Sequence, residues 1–109
     1  MLIKTKTMEW YNYLAIFFSG AFFSNAVPHF VTGVSGDKFP SPFAKPPGKG
    51  LSPPTLNVLW AGFNLIVGYI LFAAGKVHLR DYTDAIVFFA GIIVMAVMLS
   101  NNFKTKHKE

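Results

Sequence analysis

Three stretches of this chain carry no Lys, Arg, Asp or Glu: residues 10–36, 50–75 and 85–103, which are 27, 26 and 19 residues long. Together they take up 72 of the 109 residues. A water-facing domain this small has a high surface-to-volume ratio and cannot hide that much uncharged chain. A bilayer can accept it, because a spanning helix needs about 20 mostly apolar residues. Charged residues are 14% of the chain, against roughly 25% in soluble domains. Twelve Phe, four Tyr and two Trp exclude a disordered chain. The absence of Cys excludes a disulfide scaffold. The expected fold is an all-α integral membrane protein, a single domain over 1–109 with three transmembrane helices.

The boundaries come from local signals. The first span is expected near 10–30, opening on Trp10, Tyr11 and Tyr13, whose amphipathic rings suit the headgroup level. Pro28 lacks a backbone donor, so the helix should kink or end there, before Gly33. The second span is expected over 53–74, with Ser52 as N-cap, Pro53 at N1 and Gly75 at C′. The third is expected over 82–100, with Asp81 as N-cap and Asp84 favouring the helix dipole in the first turn. The short link between the last two predicts an antiparallel helical hairpin. Lys4 and Lys6 ahead of Leu14–Phe23, with Ser24-Asn25-Ala26 beyond, also read as a cleavable signal peptide. The uncleaved reading is preferred, because the charge-free run continues past that site to Gly36.

The loop over 33–52 is long for a compact protein, and such loops are commonly functional or disordered. It is rich in Pro and Gly yet carries Phe39, Phe43 and Leu51. In Phe39-Pro40-Ser41-Pro42-Phe43 the prolines favour an extended backbone. That segment is expected to dock over the ends of the first two spans, rings inward, covering His29 and Asn57.

Three spans put the N-terminus and second loop on one side, and the first loop and the basic tail (101–109) on the other. The first side holds Lys4, Lys6, Lys76 and Arg80; the second holds Lys38, Lys45, Lys49, Lys104, Lys106 and Lys108. By the positive-inside rule this excess places the N-terminus outside the cell membrane, although the flank of the first span argues the other way. The net charge of +5 fits anionic headgroups. It comes without a basic helix or an aromatic-basic groove, so nucleic acid is not an expected partner.

Polar groups inside hydrocarbon are costly and usually have partners or purposes. Here Ser24, Asn25 and His29 gather at the loop end of the first span, while Asn57, Trp60, Asn64 and Gly68 form one stripe on the second. Asn25, His29 and Asn57 are expected to converge beneath the first loop. Two readings follow: glue between helices, aided by small residues such as Gly20, Gly62, Gly68 and Gly91, or a ligand site. His78, Asp81 and Asp84 would share a face only on a continuous helix, and their capping role already explains both aspartates. Gly48-Lys49-Gly50 lacks the rest of a phosphate loop. No catalytic triad pattern is present, and neither metal nor cofactor is expected. The leading expectation is a non-enzymatic membrane protein acting by assembly, as an accessory subunit of a membrane complex or a homo-oligomer. Its expected partners are the lipid bilayer and other membrane subunits or itself. The alternatives are a small transporter or channel component with a polar path through Asn25, His29, Asn57 and Asn64, and a lipid- or quinone-binding protein.

Overall fold

A computed structural model describes residues 8–108. It is mostly helical: α1 spans Trp10–Val34, α2 Pro54–Ala74 and α3 Tyr82–Phe103, with a two-residue ribbon of β1 (Phe39–Pro40) and β2 (Leu51–Ser52) between α1 and α2. All three helices are long and apolar enough to cross a membrane. The signal-peptide n-region, with Lys4 and Lys6, lies outside the described residues.

α1 runs through Pro28 rather than ending there. It stops six residues later, where Gly36 takes the left-handed φ of 81° and Asp37 N–H closes the end on Thr32 O at 2.9 Å. Gly33 is not the terminator: a Cβ there would lie 2.7 Å from Val58 Cγ2 and 2.9 Å from Pro54 O, so α2 crosses at that point. α2 starts one residue late, with Pro53 at the N-cap and Pro54 at N1. Ser52 is not the cap; it sits in β2, and its Oγ is 2.6 Å from Ser41 Oγ. At the other end Gly75 is the C-cap, with right-handed backbone at φ −76°, and Lys76 takes the positive φ of 55°. The glycine serves proximity instead, since a Cβ would meet Ile16 Cγ1 at 2.6 Å.

α3 begins as expected, with Asp81 accepting from Thr83 N–H at 2.9 Å. Asp84 accepts from His78 N–H at 2.9 Å. His78 lies before the helix, so the three side chains do not form one helical face. The helix continues to Phe103, so the tail starts later than 101.

The packing order differs from the hairpin that the short link suggests. α2 and α3 meet at their linked ends, where the Phe72 and Phe88 rings lie 5.6 Å apart. The extensive packing of each is on α1, which is the central helix. Asn12 Nδ2 donates to Ala74 O at 3.2 Å and His29 faces Asn57, so α1 and α2 are antiparallel. Gly91 abuts Phe17 and Phe103 abuts His29, so α1 and α3 are parallel. Adjacency in sequence set the direction of the helices, while the glycines set which faces touch. Gly20 and Gly91 lie where a Cβ would come 2.2 Å from Phe88 O and 1.9 Å from Phe17 O.

Candidate functional site

The polar side chains of α1 and α2 pair as rungs of a ladder. Ser19 Oγ donates to Gly68 O at 2.8 Å. Asn25 Nδ2 donates to Asn64 Oδ1 at 2.9 Å, and Asn64 Nδ2 donates back to Trp60 O at 2.8 Å. His29 Nδ1 lies 2.7 Å from Asn57 Oδ1. The rungs recur because helical turns bring these positions of each helix to one face. Asn64→Leu is expected to cost about 0.6–2 kcal/mol, as removal of an intramembrane hydrogen bond does. A fall in the thermal unfolding temperature in detergent would register it; a rise would show that the Asn64–Asn25 bond adds nothing.

Asn57 also organises the loop. It is fully buried. Its Nδ2 lies 2.9 Å from Phe39 O and 3.2 Å from both Ser52 O and Pro53 O, so one amide ties the ribbon to the head of α2. Phe39 is buried against His29 and Phe103, with ring centroids 5.5 and 4.8 Å away. Pro40 is buried beside it, while Pro42 is exposed. Phe43 departs from the inward reading: it is 60% exposed, with its edge against Trp60 at 5.4 Å. Between the two rings the chain turns at Ser41, its Oγ accepting from Phe43 N–H at 3.1 Å. The end of α3 and the tail hold the loop from above. Asn102 Nδ2 donates to Gly48 O at 3.0 Å, and His107 N–H to Lys49 O at 2.9 Å.

Under this cover is a cavity of about 170 Å³, bordered by Asn25, His29, Ser41, Trp60, Asn102 and Phe103 among others. Leu99 and Phe103 also line a second, larger space of about 420 Å³. That space is an apolar groove between α1 and α3, with Phe23, Val27, Ile92 and Ala96 on its walls. Asn25, His29, Asn57, Trp60 and Asn64 thus come together. Ser24 does not join them; it faces the α1/α3 groove. Trp60 Nε1 is buried without a hydrogen-bond partner among the described residues. Phe103 and Asn102 are site residues that the sequence reading missed. The pair Asn101-Asn102 looks like the start of a polar tail, and only the one-turn spacing of Leu99 and Phe103 hints that the helix continues.

Replacing Phe39 tests the cover directly. Phe39→Ala is expected to cost about 3 kcal/mol, as large core truncations do. It should also hasten tryptic cleavage at Lys38 severalfold. Unchanged cleavage would mean that the ring does not hold the loop down.

The chain matches no protein-family model, no curated protein and no solved structure. The class rests on the architecture alone: a three-helix bundle with helices compatible with membrane spans, closed at one end by a folded loop.

Proposed function

We propose that this chain is a non-enzymatic multi-pass membrane protein that binds a long-chain amphiphile. The observation that carries this reading is the junction at Leu99 and Phe103, where a small cavity bordered by the polar side chains Asn25, His29, Ser41 and Asn102 meets an apolar groove more than twice its volume. An amphiphile has that same division, and ligand sites are commonly apolar clefts with a few placed polar groups. The polar side chains of α1 and α2 bond to one another, which supports a closed seat over a continuous polar path.

The test is recovery of an amphiphile at about one per chain from protein purified in mild detergent, read by mass spectrometry of the extract. Ala96→Phe should abolish it, because Ala96 is an exposed wall of the groove and a ring there would fill the space. No stoichiometric amphiphile, or full retention in Ala96→Phe, would end the reading.

Assembly with another membrane subunit or a second copy is the other reading, and Gly62 favours it. A Cβ at Gly62 would meet nothing within 4 Å, so no packing inside this chain asks for glycine there. It lies among the exposed Leu59, Phe63 and Ile66. A partner helix approaching closely would account for it.

The cell membrane is the proposed location, with the N-terminus outside. In support, the first loop and the tail share one end of the bundle, bringing the lysines of both together. Single Cys residues at Ser35 and Lys106 should then label from the cytoplasm, and one at Lys76 from outside. Labelling of Ser35 and Lys76 from one side would overturn the arrangement.

A further inference from the structure

We propose that the cavity under the loop seats a neutral head group that donates hydrogen bonds through a hydroxyl, as in a long-chain alcohol or a glycerol monoester. This rests on the amphiphile-binding reading above and names the chemistry of the head.

A backbone carbonyl only accepts. Trp60 O therefore fixes Asn64 Nδ2 as a donor, at 2.8 Å. Asn64 Oδ1 is then the acceptor, and Asn25 Nδ2 fills it at 2.9 Å. Asn25 Oδ1 is left as an acceptor with no partner among the described residues. The second chain starts on Phe39 O, Ser52 O and Pro53 O, which fix Asn57 Nδ2 as donor. Asn57 Oδ1 then takes the proton of His29 Nδ1, at 2.7 Å. In the neutral ring the lone pair lies on Nε2, which likewise has no partner among the described residues.

Asn25 and His29 are four residues apart on α1, and both border the cavity. Each network is anchored on backbone and ends there on a residue with a spare acceptor. The occupant must donate. Ketone, ether, carboxylate and phosphodiester oxygens have no hydrogen to give; they could meet only the Trp60 Nε1–H and would leave both acceptors unmet. An ammonium group has hydrogens, but no Asp or Glu borders the cavity to balance it, and burying an unpaired charge is costly. A hydroxyl satisfies the requirement and leaves its oxygen free to accept. Trp60 borders the same cavity and holds the unpartnered buried Nε1–H. Size agrees as well. A void of ~150 Å³ admits benzene, whose six heavy atoms equal those of glycerol, and this cavity is about 170 Å³.

The test is competition against radiolabelled 1-oleoylglycerol on the purified chain in detergent. The competitors are unlabelled 1-oleoylglycerol, its dimethyl ether, oleate and methyl oleate. The free glycerol monoester should compete at a concentration at least about tenfold below the others, since one well-made hydrogen bond is worth about that factor. Asn25→Ala should shrink that preference to about twofold while still binding the oleoyl chain. His29→Gln should do the same, and gel filtration of each variant checks that the bundle is intact. Asn25 is only half-buried, so its variant keeps the test alive if His29→Gln fails to fold. Equal competition by the ether and the alcohol, or preference for oleate, would overturn the head-group assignment while leaving chain binding in place. No saturable binding of any oleoyl compound would overturn the amphiphile reading itself. Full preference retained in Asn25→Ala would also refute the proposal.

Discussion

Asn57→Leu is expected to release the long loop and lower stability by about 3 kcal/mol. The side chain is 0% exposed and serves four groups on three segments. Leucine matches the branching of asparagine but is bulkier, so a steric cost adds to the polar one. His29 Nδ1–H loses its acceptor, and Phe39 O and Ser52 O lose the amide donor. A buried group left unsatisfied costs about 1–3 kcal/mol. Pro53 O is spared, because Asn57 N–H still reaches it at 3.2 Å. The expected signature is a lowered unfolding temperature in detergent, together with rapid tryptic cleavage at Lys38 and Lys49, the loop lysines not followed by proline. Asn57→Leu with wild-type unfolding and cleavage would show that the loop is held by its apolar contacts alone. Binding of an amphiphile should fall in the same variant, since Ser41 and Gly48 of the loop border the cavity.

How much of this was legible in the sequence depends on the range of the interaction concerned. The helices were legible because absence of charge over a long run is a one-dimensional property. The Asp81 cap was legible because it acts over two residues. The convergence of Asn25, His29 and Asn57 followed from antiparallel neighbours and helical spacing. Three features were not legible. The ribbon is only two residues on each side, too short to show a period, so Ser52 looked like a cap. Phe103 was hidden by the polar pair before it. The central place of α1 was obscured because the short α2–α3 link implied a packed pair. What decides the packing is where backbones can touch, and the sequence lists glycines without saying which neighbour each one meets. Gly20, Gly33, Gly68, Gly75 and Gly91 all have a neighbour within 3 Å of where a Cβ would sit, which at Gly20 and Gly91 is backbone, whereas Gly62 has none.

That contrast gives the other large effect. Gly91→Leu is expected to prise α3 from α1, costing about 3 kcal/mol, at the upper end of overpacking penalties. A Cβ at residue 91 would lie 1.9 Å from Phe17 O and 2.9 Å from Phe17 C. Both are backbone atoms in the middle of α1, so no rotamer change can clear them. Gly20 makes the same contact in the other direction, 2.2 Å from Phe88 O and 3.1 Å from Ile92 N. The two helices therefore meet backbone to backbone around this pair, as small residues allow in membranes. Gly91→Ala should already be destabilising, although alanine is the better helix former by about 1 kcal/mol. At Gly62 the same change meets open space in the isolated chain. Gly62→Ala should thus be neutral or stabilising by up to about that propensity gain. Thermal unfolding of the two alanine variants in one detergent compares them directly, with opposite signs expected. Equal stability would mean that α3 does not approach α1 as closely as the Phe17–Gly91 contact requires. If Gly62→Ala is instead destabilising in the native membrane but not in detergent, the missing neighbour at that position is another protein helix.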